Sequence, residues 1–137
     1  MRNNQIVVFV HLVWNTWDRL PLIRPEFERR LYRYVAAIAT EMRCEVIAIG
    51  GIEDHIHILL SLPSTVSIAQ LVKRMKGASS HFINHEVLAN GDFRWQGTYS
   101  AFSVSRWDVP KLVNYIQTQR EHHDADELWK DFEMTFE

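Results

Sequence analysis

The chain has 137 residues, 47% of them hydrophobic, so a single domain over residues 1–137 with a substantial core is expected. Its net charge of -2 argues against a protein that coats duplex nucleic acid, although basic residues can still cluster on part of the surface. One cysteine excludes a disulfide framework, and without an apolar run of membrane-spanning length or a signal peptide we expect a cytoplasmic protein without membrane contact.

The first half of the chain predicts one strand, one helix and a hairpin, in that order. Residues 5–15 are rich in β-branched and aromatic side chains and predict a strand. Two prolines punctuate residues 16–25, which indicates a loop. Apolar residues recur at helical spacing over 26–43, with arginines on the other face, so an amphipathic helix is expected. Residues 45–51 and 55–62 predict two strands joined by a short turn.

The second half predicts a helix, a strand and another helix. Residues 63–67 supply helix-capping side chains, and an apolar stripe from Ile68 to Ile83 then predicts a second long helix. A loop over 89–97 leads to alternating residues at 98–105, which predict a fourth strand. A third helix should begin near Asp108 as its N-cap.

The acidic segment 124–137 follows the third helix and carries large apolar side chains, among them Leu128, Trp129, Phe132 and Phe136. We therefore expect this segment to dock against the domain.

The resulting order, β-α-β-β-α-β with an additional helix, predicts an α+β, ferredoxin-like fold. Its antiparallel sheet has two helices on one face, and the third helix carries Tyr115. The strands are apolar throughout, so the other face of the sheet must also be covered. We expect a second subunit to cover part of it.

Two histidines begin the strand in "EDHIHILLSL". Because strand side chains alternate, His55 and His57 project from one face about 7 Å apart along the strand, while Ile56 points into the core. Neutral imidazoles so placed can bind one cation. Taken alone, however, the pair is more typical of surface residues at a strand end, and two ligands are too few for a metal.

On the third helix, Tyr115 and Gln119 are four residues apart and lie on one face. An ordinary solvated stripe is one explanation. A chemical explanation is that the tyrosine hydroxyl attacks phosphorus to form a covalent intermediate. The amide oxygen of Gln119 could then complete a metal site with His55 and His57.

Four segments in order resemble the IS200/IS605 family transposases, the single-tyrosine HUH enzymes: "GGIEDHIHILLSLP", "LVKRMKGASS", "FRWQGTYSAFSVS" and "VNYIQTQREHH". The resemblance extends over residues 8–123. It departs from the family pattern at Trp17 and Asp18, where more basic side chains would be expected.

The resemblance implies Tyr115 as the nucleophile, and His55, His57 and Gln119 as ligands of Mg²⁺ or Mn²⁺. It also implies a homodimer in which a site can combine the histidines of one chain with the tyrosine of its partner. The implied reaction is cleavage and rejoining of single-stranded DNA with hairpins at element ends, through a 5′-phosphotyrosine link.

Basic and aromatic side chains that could bind DNA lie in the second helix and in the loop before the fourth strand: Lys73, Arg74, Lys76, Arg94 and Trp95. An equally good interpretation is that the lysines form a solvated helix face and that Trp95 packs in the core. The remaining histidines are expected to be structural or surface residues: His11, His81, His85, His122 and His123.

Two other functions stay open from the sequence. One is a domesticated relative that processes chromosomal hairpin repeats by the same chemistry. The other is a non-catalytic ferredoxin-like dimer that binds nucleic acid, although the presence of Tyr115 together with His55, His57 and Gln119 argues against it.

Overall fold

The computed structural model describes residues 4–89 and 91–119 of the chain. The predicted element order is confirmed, and its members are β1 (Phe9–Asn15), α1 (Glu28–Glu41), β2 (Glu45–Ile52), β3 (His55–Ser61), α2 (Ile68–Phe82), β4 (Ser100–Val104) and α3 (Val109–Gln117). A 3-10 turn, Trp17–Arg19, follows β1, and a π-helical turn, Ile83–Val87, extends α2. In the described ranges, no helix has the length and apolar character needed to cross a bilayer.

The four strands form one sheet in the order β2-β3-β1-β4, and every neighbouring pair is antiparallel. This is the strand order of the predicted ferredoxin-like α+β fold. Helices α1 and α2 pack together on one face, over a core that β1 and β3 fill with alternate side chains, among them Leu12, Trp14, Ile56 and Ile58.

Several element boundaries differ from the prediction, and local hydrogen bonds explain one of them. Helix α1 begins later than residue 26 because the carbonyl of Arg24 accepts from the amides of Phe27 and Glu28, which closes a separate turn first. Helix α2 begins at Ile68, as predicted, because the Ser67 hydroxyl accepts from the amide of Gln70 and caps the helix. Asp108 is the N-cap residue of α3, as predicted, although its side chain makes no capping hydrogen bond.

The opposite face of the sheet is covered in part by the chain's own third helix. Helix α3 contacts β2 and β3, and its Leu112 and Ile116 pack against Ala48 and Leu59. The sequence does not predict this contact. It predicts that a second subunit covers part of the face, and that subunit stays a prediction. The predicted docking of segment 124–137 and the positions of His122 and His123 lie outside the described residues.

Candidate active site

The alternation of β3 places its histidines where the sequence predicted. His55 and His57 face α3 together with Leu59, while Ile56 and Ile58 face α1 and α2. The two imidazole centroids are 5.0 Å apart, with the rings nearly perpendicular. The pair is therefore close enough for both rings to contact one small ligand.

Helix α3 brings the tyrosine to the same place. The ring of Tyr115 meets that of His57 edge-on, with 5.6 Å between their centroids. Gln119 lies just beyond the end of α3 and donates from Nε2 to the Tyr115 hydroxyl at 3.2 Å. All four side chains predicted as catalytic or metal-binding thus converge.

These polar side chains are buried in an otherwise apolar interface. His55, His57 and Tyr115 have no exposed surface, and Gln119 is 2% exposed. Burying polar groups costs free energy unless they are hydrogen bonded. Side chains that served only as solvated surface residues would therefore not be buried in this interface. The surface interpretations of the histidine pair and of the Tyr–Gln stripe are therefore wrong.

Each histidine is oriented through its Nδ1 atom. His55 Nδ1 lies 2.8 Å from a carboxylate oxygen of Asp54, and His57 Nδ1 lies 2.8 Å from Nε2 of His11. Such contacts fix the ring orientation and the tautomer of metal-binding histidines. The sequence prediction had assigned no role to His11 or Asp54.

The sequence predicts which face of its strand His11 occupies, but it does not predict the contact of His11 with His57. It lies on the same face of its predicted strand as Phe9 and Val13, hence on the face opposite the main core. Its pairing with Leu59, which places it diagonally to His57, depends on the strand register. The ring stacks on His57 at 5.0 Å between centroids, and it is buried.

A family model described as "Transposase IS200 like" matches residues 5–119. The chain belongs to the IS200-like transposase family. It is 29% identical over 116 residues to the ISDra2 transposase TnpA of Deinococcus radiodurans, covering 81% of this chain and 83% of the relative. A crystal structure of a protein from Deinococcus radiodurans R1 assigned as a transposase superposes with a TM-score of 0.68 at 27% identity, covering 87% of this chain and 95% of that one.

A second solved structure shares the fold of this IS200-like transposase. It is a REP-associated tyrosine transposase bound to a REP hairpin, with a TM-score of 0.67 and 16% identity, covering 90% of this chain and 73% of that one. These matches confirm the predicted family and the predicted fold class.

The side chains of this IS200-like transposase fit a divalent cation in their donor types. Two imidazole nitrogens and one amide oxygen suit Mn²⁺, and Mg²⁺ is compatible because it usually keeps several waters. Over residues 4–89 and 91–119, no group of three or more His, Cys, Asp or Glu is placed to hold a metal. Among the described residues, the third protein ligand of such a cation would be the amide of Gln119.

The five candidate DNA-binding residues have different environments. Lys73 is exposed on α2, and Arg74, also exposed, lies 3.4 Å from a carboxylate oxygen of Glu41. Lys76 donates to the carbonyl oxygens of Gln96 and Thr98, and burial lowers the pKa of its amine. Lys76 therefore fastens the loop before β4 to α2, while DNA binding by Lys73 and Arg74 stays a prediction.

Arg94 and Trp95 are neighbours in the loop before β4, but the first is exposed and the second is buried. Trp95 is buried, its ring lies edge-on to Trp14 and Phe93, and its indole N–H donates to Ser79 at 2.9 Å. It presents no open face to a base, so the packing interpretation holds for Trp95. Arg94 is exposed, and its guanidinium carbon lies 3.8 Å from the centroid of the Trp17 ring.

Proposed function

We propose that this chain cleaves and rejoins single-stranded DNA by transesterification through Tyr115. The observation that carries the proposal is the convergence of a buried tyrosine with His55, His57 and Gln119 on one face of the sheet. A phenol oxygen is a competent nucleophile, and the family is one of transposases.

The proposed reaction exchanges one phosphodiester for another. The Tyr115 oxygen bonds to phosphorus, the bond from phosphorus to the 3′ oxygen breaks, and a 5′-phosphotyrosine link remains. The phenol loses its proton and the released 3′ oxygen gains one, so charge and protons balance. A 3′-hydroxyl from another end then reverses these steps and rejoins the strand. No water is activated in this reaction, so it needs no carboxylate base.

His55, His57 and Gln119 would hold Mg²⁺ or Mn²⁺ in this proposal. When bound, the cation would stabilise the charge that develops on the phosphate oxygens. The imidazoles would bind through Nε2, because their Nδ1 atoms already contact Asp54 and His11. With the proton on its Nδ1, His57 donates to His11 and presents a lone pair at Nε2.

The proposed DNA partner is a single strand with a hairpin near the cleavage site. The structural neighbour bound to a REP hairpin has the same fold, which supports hairpin DNA as the first substrate to test. We further propose a homodimer that works in the cytoplasm. Strand β4 supports the dimer, because it lies at the sheet edge with Ala101 and Ser103 exposed and open to a second chain.

The test is a covalent adduct on a denaturing gel. The protein is mixed with labelled single strands carrying hairpins from the DNA that flanks its gene, with Mg²⁺ or Mn²⁺. We expect an adduct that Tyr115→Phe abolishes and that EDTA or His57→Ala strongly reduces. An adduct that survives Tyr115→Phe contradicts the nucleophile, and cleavage unaffected by EDTA contradicts the metal. If no strand in the panel reacts but some bind, the protein is the non-catalytic binder; cleavage of dispersed chromosomal repeats alone identifies the domesticated relative.

A further inference from the structure

The 3-10 turn after β1 presents an aromatic ring to solvent beside the candidate active site. Trp17 is 39% exposed, and it comes two residues after Asn15, which pairs with His55 in the sheet. The amide of Thr16, between them, donates to the carbonyl of Asp54 at 2.9 Å. The ring therefore lies at the end of the sheet where β3 begins with its histidines.

A basic side chain covers part of this ring. The guanidinium of Arg94 lies over Trp17 at 3.8 Å, within the range of a cation–π contact. Arg19, on the same turn, places its Nε 3.7 Å from Asp54, whose other carboxylate oxygen contacts His55. An aromatic face and two guanidinium groups thus adjoin a histidine ligand.

The turn is held in one conformation before any ligand arrives. Asp18 and Arg19 both have φ of 53°, a left-handed conformation that non-glycine residues rarely adopt. The Asp18 amide donates to the side chain of Gln96 at 3.0 Å, and the Trp17 amide donates to the carbonyl of Arg94 at 2.9 Å. Because the backbone that carries the Trp17 ring is already held, less conformational entropy is lost when the ring binds a flat partner.

We propose that Trp17 and Arg94 form a stacking subsite for an unpaired base of the DNA strand that reacts at the His55–His57 site. The proposal rests on the proposed cleavage of single-stranded DNA and adds a residue that holds the substrate. An unpaired base suits the subsite because aromatic side chains stack on single strands regardless of sequence. Stacking also matters more here than in a basic protein, because a net charge of -2 provides little general attraction for phosphates.

The test separates binding from cleavage by using Tyr115→Phe as the parent for binding measurements. The probe is a labelled single strand of about 20 nucleotides from a hairpin flank, longer than most single-strand binding sites, with 2-aminopurine at successive positions. We expect Trp17→Ala to weaken binding about tenfold and to remove the quenching of 2-aminopurine at one or two positions. Trp17→Phe keeps a stacking ring and should retain most of the binding and the quenching. Arg94→Gln removes the guanidinium over the ring and should weaken binding by less than Trp17→Ala does.

The chain offers a matched control at the other end of the sheet. Trp107 is 82% exposed and has Arg106 over its ring at 5.7 Å, but it follows the end of β4 that pairs with Phe9, remote from His55. Trp107→Ala should bind the probe as the parent does. Equal binding by Trp17→Ala and the parent, or equal losses in Trp17→Ala and Trp107→Ala, overturns the subsite.

Adduct formation by protein with Tyr115 intact is measured on the same strands. If adducts form and Trp17→Ala binds the strands as tightly as the parent, the subsite is refuted and the proposed cleavage stands. Trp17-dependent stacking without any adduct supports the subsite and refutes the cleavage. Absence of binding to every strand refutes both.

Discussion

Replacing Gly50 with alanine should dislodge the tyrosine from the candidate active site. Gly50 lies in β2 opposite His57, and α3 crosses directly above it. A β-carbon at this position would come 2.5 Å from the main-chain oxygen of Ile116 and 3.2 Å from a side-chain carbon of the same residue. A main-chain oxygen cannot rotate away, so the helix itself must move.

The size of the movement follows from these contacts. Ordinary van der Waals contact begins near 3.4 Å, so α3 must move by about 0.9 Å at Ile116, the residue next to Tyr115. Overpacking of this kind costs roughly 1–3 kcal/mol. A misplacement of about 1 Å can lower the rate of a positioned reaction about 100-fold, so we expect adduct formation to fall by one to two orders of magnitude.

The assay measures the rate of covalent adduct formation with hairpin DNA and the midpoint of urea unfolding. Gly77→Ala is the control, because a β-carbon there meets nothing within 4 Å and the residue lies inside α2. Gly77→Ala should stabilise the protein by up to about 1 kcal/mol and leave the adduct rate unchanged. If Gly50→Ala forms the adduct at the parental rate or faster, the reaction does not require α3 to pack closely against β2, and the reasoning is refuted.

Three further substitutions or treatments test other parts of the structure. His11→Asn should raise the Mn²⁺ concentration for half-maximal adduct formation about 10- to 100-fold, because it alters the contact that orients His57; an unchanged titration contradicts this role. Trp95→Phe should lower the free energy of urea unfolding by about 1–3 kcal/mol, since it shrinks a core ring and removes the donor to Ser79, whereas weaker DNA binding at full stability would favour a base-stacking role. Burial raises the pKa of the Cys44 thiol, so iodoacetamide at pH 8 should alkylate the native protein far more slowly than the protein in urea, and equal rates would contradict its burial.

Much of the site was predictable from the alternation of side chains along a strand and from the four-residue spacing of one helical turn. Alternation along β3 was enough to place His55 and His57 on one face and Ile56 on the other, and one turn of helix was enough to join Tyr115 to Gln119. These relations are local, because each is set by the backbone geometry of a single element.

Relations between elements were not predictable in the same way. The contact of His11 with His57 depends on the register of β1 against β3, which no local pattern specifies. The loop residues Trp95 and Trp17 also could not be told apart, since neither lies in a periodic element whose faces could be assigned. Trp95 fills the core and Trp17 is exposed. The difference follows from the path of the backbone, in which Thr16, the residue before Trp17, forms a β-bridge with Trp95.

Burial constrains the reaction more than any single distance does. Tyr115 and His57 have no exposed surface, so in the proposed reaction the elements that cover the phenol oxygen would have to separate before a phosphodiester could reach it. The proposed attack would require the opposite arrangement, because the tyrosine lies beside His57 only while α3 is seated on the sheet. The helix has nine residues, and burial of Leu112 and Ile116 contributes about 1.5–3 kcal/mol each, so separation costs a few kcal/mol. In the proposed reaction α3 would have to leave the sheet to admit the DNA strand and return to restore the position of Tyr115, and Gly50 would set how closely it returns.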